Sequence, residues 1–445
     1  MTTPILDFVR RYAKDDTLRL HMPGHKGVGA LGIEGLDITE IEGADSLYEA
    51  DGIIYESEQN ASELFGAHTY YSTEGSSQCI RAMLLLAVQY AREPGREPII
   101  AFGRNAHRAA LTAAALLDID PVWIMPETDN YLACPIDAAC LERVFSHAAS
   151  KPTAVYITSP DYLGNTVYID ELAHVCHRHG ALLLVDNAHG AYLKFLSPSR
   201  HPIDAGADVC CDSAHKTLPA LTGGAYLHLS KHAPKSLINQ AKTALATFGS
   251  TSPSYLTLCS LDAANAYLSG GYRERLARFV IAKNNCEKTL TDHGYTLLGD
   301  EPLKLTLHAA KFGYTGREMA DLLLRKGIVC EFSDREVLVM MLTPEQGESA
   351  LDALTDALCA IERRAALIDT PPALPAHERV KSVREAMLAP SEWLPVEQCL
   401  GRVVSSPTLS CPPAVPIAVP GEKINEQTVK CMQYYGMGKC CVVKE

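Results

Sequence analysis

The chain has 445 residues, with Lys+Arg 40 against Asp+Glu 53 and a formal net charge of −13. An apolar fraction of 47% beside 21% charged residues argues against general disorder. An acidic chain without a basic stripe argues against nucleic acid and anionic membrane surfaces as partners.

Residues 1–60, rich in Gly, Asp and Glu, read as an arm with short helices. From 61 to 270 helical stretches such as SQCIRAMLLLAVQYAREPG (77–95) alternate with short apolar runs: PIIAF (98–102), PVWIM (121–125), TAVYIT (153–158) and ALLLVD (181–186). Runs that short and that apolar are expected of strands buried on both faces of a parallel sheet. Helices between them imply right-handed crossovers, so the prediction is a large α/β domain with a mainly parallel sheet. Residues 271–370 have α+β texture, with strands at KLTLHAA (304–310) and EVLVMML (336–342) and helices at 316–326 and 346–365. Pro-rich breaks at 371–375 and 412–420 punctuate a C-terminal segment, 371–445.

The fifteen cysteines are scattered from Cys79 to Cys441 without a C-x-x-C pair or a zinc-type Cys/His spacing, so no metal is expected. A long chain with a good core has no need of a disulfide framework. The start, MTTPILDFVRRYAKDD, lacks an apolar h-region, and no apolar run approaches membrane-spanning length. Reduced thiols in a cytoplasm are the expectation.

The chemistry concentrates in three places. ALLLVDNAHGAYL ends a buried strand in Asp186, where α/β sheets place ligands. Lys216 follows in CCDSAHK. Taken alone, Asp186 is a good helix N-cap and Lys216 a surface lysine. Together they supply what pyridoxal phosphate needs: an amine for a Schiff base and a carboxylate that keeps the pyridine nitrogen protonated. The third place is YYSTEGSSQCIRAML, where Gly75, Ser76 and Ser77 precede an apolar-periodic helix and offer amides and hydroxyls to a phosphate. Ser76 also suits an ordinary N-cap. Each feature is ambiguous alone; the ordered trio is not.

The motifs LHMPGHKG (20–27), DITE (37–40), FGAHTYYSTEGSSQ (65–78), GRNAHRAA (103–110), SPDYLGN (159–165), VDNAHGA (185–191), SAHK (213–216), STSPSYLTLCSLD (250–262) and PPAVPIAVPGE (412–422) run through nearly the whole chain. In this the chain resembles the Orn/Lys/Arg basic amino-acid decarboxylases, fold type I enzymes of the aspartate-aminotransferase kind. The resemblance implies Lys216 as the Schiff-base lysine, Asp186 as partner of the pyridine nitrogen and His107 stacked on the ring, with His189 lining the pocket. It implies Gly75, Ser76, Ser77, Ser213 and His215 around the phosphate. Ser250 to Ser252 would approach from a neighbouring subunit, which implies a homodimer or larger homo-oligomer. It also implies loss of CO₂ from a basic L-amino acid, with arginine favoured (giving agmatine) and lysine or ornithine as alternatives (giving cadaverine or putrescine).

The substrate's cationic side chain needs a carboxylate. Glu422, Glu331 and Asp334 are candidates, each with an ordinary reading as a solvated acid. Other open readings are another fold type I reaction, an aminotransferase or lyase, and a catalytically silent regulatory relative. Two departures stand out: Asn187 where the family commonly has Glu, and Ala414 where it has Gly. With the family's opening motif at residue 20, the N-terminal wing domain of the long members is expected to be absent.

Overall fold

A computed structural model describes residues 1–128, 130–148, 150–368, 372–374, 376–407 and 415–445; Ala414 lies outside them. The chain forms two compact units interleaved in sequence, one from Met1–Pro98 with Cys176–Glu274, the other from Ile99–Val175 with Arg275–Glu445.

Strands and helices alternate along residues 68–229. The strands are β1 (His68–Ser72), β2 (Ile100–Gly103), β3 (Val122–Ile124), β4 (Ala154–Thr158), β5 (Leu182–Asp186), β6 (Val209–Asp212) and β7 (Ala225–Leu229). The apolar runs of the sequence fall on β2, β3, β4 and β5. Every residue of β5, β6 and β7 is buried, as strands covered on both faces require.

In the first unit the order is β1-β7-β6-β5. β5 and β6 are parallel, pairing Val185 with Cys210 and Asp186 with Cys211, while β7 runs against both of its neighbours. Helix Ser76–Arg92 buries Cys79, Ile80, Met83, Leu84 and Ala87, spaced at three and four residues, and packs on helix Lys235–Phe248 and on β5, β6 and β7. The N-terminal residues also belong to this unit. Helix Pro4–Tyr12 starts with proline, and the amides of Ile5 and Leu6 both donate to Asp262 Oδ2 at 3.0 Å. That carboxylate satisfies donors a helix start leaves open.

In the second unit β2 lies between β4 and β3, all parallel. A separate antiparallel sheet has β8 (Leu297–Leu298), β9 (Lys304–His308), β10 (Phe332–Ser333) and β11 (Val337–Met341) in the order β10-β11-β9-β8. Helices Gly316–Leu324 and Glu348–Cys359 accompany it. The C-terminal strand Lys439–Val443 pairs with Ser391–Pro395 and buries Cys440 and Cys441.

Candidate active site

The first unit gathers one group of chemistry-bearing side chains at the carboxyl ends of β5 and β6. Asp186 ends β5, is 2% exposed, and accepts at Oδ1 from the Ala188 amide at 3.2 Å and from the Cys211 thiol at 3.7 Å. β6 ends at Asp212; Ser213 turns the chain and the short helix Ala214–Thr217 carries Lys216. Lys216 Nζ lies 3.2 Å from His189 Nε2, so the imidazole on the β5 loop and the amine after β6 face one another.

Gly75 has φ +71°, a left-handed conformation that favours glycine. Its amide donates to the Gly223 carbonyl at 2.7 Å. A Cβ built there would meet only His215 Cε1, at 3.8 Å, an ordinary van der Waals contact. Ser76 opens a helix of 17 residues, and its hydroxyl oxygen accepts from the Ser213 hydroxyl at 2.7 Å. His215 Nδ1 hydrogen-bonds the Gly224 carbonyl at 3.0 Å. Burial, with Lys216 nearby, lowers its pKa below the usual histidine range, and a phosphate against the ring would oppose that shift. Gly75, Ser76, Ser77, Ser213 and His215 therefore belong to one unit, around the start of one helix, where a macrodipole and open amides favour an anion. Ser252 lies in the same unit: its amide donates to Ser250 Oγ at 3.1 Å, and the Ser250 amide donates to Glu74. The chain thus ties the TSPS segment to its own phosphate-type loop.

Beneath these groups lies a cluster that the motifs did not single out. Asp212 is fully buried. Its Oδ2 accepts from His201 Nε2 and His228 Nε2, both at 3.1 Å, and its Oδ1 from Asn187 Nδ2 at 2.7 Å. Burial opposes its charge, but the two imidazoles outweigh burial and hold the carboxyl well below its usual range. His201, Cys210 and Asp212 also bring ligand-type atoms within 4.8 Å of one another. Burial pushes the thiols of Cys79, Cys210 and Cys211 up, and the carboxylates of Asp186 and Asp212 add to the shift. Asp212 sits inside the CCDSAHK run, yet its partners come from positions that local spacing does not connect.

The remaining sequence candidates belong to the second unit. His107 caps helix Arg108–Leu117 after β2, its Nδ1 accepting from the Ala109 amide at 3.2 Å. Glu422 departs from the expectation of a carboxylate open to substrate. Arg104 is 1% exposed and forks onto Glu422 through Nη1 at 2.7 Å and Nη2 at 2.8 Å. The Val419 amide donates to Oε2 at 2.9 Å, and the Arg104 guanidinium lies 5.1 Å over the Trp123 ring. A buried guanidinium has to be neutralised, and Glu422 does so. His377, 3.4 Å from Glu422, is lowered to about 4, first by burial. Asp334 Oδ1 accepts from the amides of Glu336 and Val337, each at 2.7 Å, and burial pushes its carboxyl up. Glu331 is exposed and accepts from the Tyr162 hydroxyl at 3.0 Å.

The profile of the Orn/Lys/Arg decarboxylase major domain matches residues 3–297, and that of the C-terminal domain of the same family matches 367–440. The chain is 29% identical over 469 residues to an arginine decarboxylase of Halalkalibacterium halodurans, covering 96% of this chain and 92% of that one. It is 27% identical over 465 residues to an arginine decarboxylase of Bacillus subtilis, with 96% and 92% covered. Among solved structures, the constitutive lysine decarboxylase of Escherichia coli shares the fold with a TM-score of 0.75 at 18% identity, over 100% of this chain and 82% of that chain. A lysine decarboxylase of Francisella novicida does so at 0.78 and 16% identity, over 99% and 79%.

The first unit's donor set fits pyridoxal phosphate: an amine at Lys216, a buried carboxylate at Asp186, and a glycine-led helix start with hydroxyls at Ser76 and Ser77. The chain belongs to the Orn/Lys/Arg decarboxylase family, and it is a decarboxylase whose cofactor is pyridoxal phosphate.

Proposed function

We propose that the protein removes the α-carboxylate of L-arginine, giving agmatine and CO₂. The observation that carries this reading is the pair of relatives named arginine decarboxylase, aligned over 96% of this chain. When bound, pyridoxal phosphate supplies the electron sink for the bond that breaks.

This chain's residues do the rest. The Lys216 amine would hold the cofactor. His189 Nε2, accepting from Lys216 Nζ, orients that amine. The Asp186 carboxylate would accept from the ring N–H and keep the proton there, which would be the chain's main electrostatic contribution. The Gly75 amide region, with Ser76, Ser77, Ser213 and His215, binds the phosphate. His107 would stack on the ring, a role supported by its GRNAHRAA motif. Glu331 reads the substrate's cationic side chain, because Glu422 is bound by Arg104 and Asp334 by backbone amides. Ser252 completes the phosphate cradle of a partner subunit in a homodimer. No helix among the described residues is long and apolar enough to cross a membrane, and the reading places the enzyme in the cytoplasm.

The test is CO₂ and amine release from L-arginine, L-lysine and L-ornithine, with and without added cofactor, for wild type and Lys216→Ala. Cofactor-dependent agmatine formation that Lys216→Ala abolishes is expected. Release from lysine or ornithine in its place overturns the substrate. A Lys216-dependent visible band without CO₂ from any of the three overturns the reaction.

A further inference from the structure

Asp212 does not face the expected ligand, yet it is bonded to the parts that do. It stands immediately before Ser213 and four residues before Lys216. Through Asn187 Nδ2, at 2.7 Å, it reaches the residue immediately after Asp186. Asn187 is itself held in place: its amide donates to the Cys211 carbonyl at 3.0 Å, and its carbonyl accepts from the Gly190 amide at 2.8 Å. A Cβ at Gly190 would come within 2.0 Å of Asn187 Oδ1, so the DNAHG loop wraps closely around this side-chain amide.

On its other oxygen Asp212 gathers His201 and His228. His228 Nδ1 hydrogen-bonds the Thr69 hydroxyl on β1 at 2.9 Å, and His201 Nδ1 accepts from the Ile203 amide at 3.4 Å. His201 thus has an acceptor use for Nδ1 and a donor use for Nε2, which is the pattern of a neutral ring, and burial lowers the His228 pKa below the usual histidine range. The cluster carries one negative charge, shared among donors from the loop before β6, from β7 and from the residue after β5. A second carboxylate at position 187 would face Asp212 at hydrogen-bond distance in a dry interior, where two carboxylates do not both ionise.

We infer that Asp212 is a positioning residue for the cofactor site: through Asn187 it fixes the β5 end bearing Asp186 against the β6 end bearing Ser213 and Lys216. The pair at 187 and 212 must hold one carboxylate and one amide. The inference rests on the assignment of the pyridoxal phosphate site to these residues.

The test uses the full chain and four variants: Asp212→Asn, Asn187→Asp, the double variant that combines these two and so exchanges the acid and the amide, and Asn187→Ser. The readouts are the dissociation constant of pyridoxal phosphate and the pH profile of the visible band of lysine-bound cofactor. A charge-assisted hydrogen bond lost from a buried site corresponds to roughly a ten- to hundredfold change. Each single variant is therefore expected to weaken cofactor binding by that factor and to move the pH profile. The exchange is expected to recover the dissociation constant to within about threefold, because an amide at 212 can accept from both imidazoles and donate to the carboxylate now at position 187.

Should Asn187→Asp fail to fold, Asn187→Ser shortens the side chain so that its amide N–H no longer reaches Asp212, without adding charge, and unchanged cofactor binding there overturns the inference. An exchange variant no better than its worse parent overturns it as well, as does a series that loses thermal stability alone while cofactor binding and the pH profile stay fixed. A wild type with no visible band overturns the cofactor-site assignment and this inference together; a normal wild-type band with unaffected variants overturns this inference alone.

Discussion

Two buried carboxylates show two ways of keeping an acid inside a protein. Glu422 in the second unit meets a guanidinium, with both oxygens forked and the charge cancelled. Asp212 in the first unit meets two imidazoles and an amide, which satisfy its lone pairs. The first arrangement is a lock, because its acid and base neutralise one another over a separation of 318 residues in the chain. The second leaves a fixed negative charge in the layer that carries Asp186 and Lys216. The choice of partner therefore separates an acid that closes a fold from one that can serve a site.

The strongest way to break this contrast is Arg104→Met, which strands Glu422 as a buried, unpaired charge. A loss of about 3–5 kcal/mol is expected by urea denaturation, and adding Glu422→Met to that variant is expected to recover most of it. Acidification comes next. His377 binds its proton at about 4 in the folded chain and at about 6.5 when unfolded. The unfolded state thus holds more protons between those values, and stability falls as pH drops through that window, by up to about 3 kcal/mol. A pH series of melting curves on wild type and His377→Gln measures this, with the slope reduced in the variant.

Asp212→Asn should cost less, about 1–3 kcal/mol at neutral pH, since an amide still accepts from both imidazoles. With its folded pKa depressed, the carboxylate contributes fully above the unfolded value of about 4 and progressively less as pH falls below it. The gap between wild type and Asp212→Asn is thus expected to close in acid. Glu331→Gln is expected to show the smallest effect: stability within about 0.5 kcal/mol of wild type, a few-fold rise in KM for arginine, and little change in kcat. An unchanged KM would remove Glu331 as the side-chain reader.

Much of this was legible in the sequence, for physical reasons. The strands β2, β4 and β5 are short and almost wholly apolar, so burial on both faces writes itself into composition. The placement of Gly75, Asp186 and Lys216 was legible because it depends on local order: glycine before a helix, an acid at a strand end, a lysine just after the next strand. Arg104 with Glu422, and Asp212 with His201, His228 and Thr69, were not, because each grouping is made by folding and no residue in it is unusual by itself. Glu422 shows why: its acid is visible in the sequence and its guanidinium is hidden by distance along the chain. Asn187 is the intermediate case. It was visible as a missing negative charge, and the fold puts a carboxylate beside it at Asp212.

The cysteines around this layer give the molecule a built-in clock. Cys79, Cys210 and Cys211 are buried and protonated, and among the described cysteines only Cys330 and Cys359 are part-exposed. A thiol reagent added to the native protein can reach the three inner sulfurs only when the first unit opens. Their labelling rate, followed by mass spectrometry of the peptides around positions 79 and 210–211, therefore times the excursions of the layer beneath Asp186. Any ligand that tightens that layer will slow the clock in proportion to how firmly it binds.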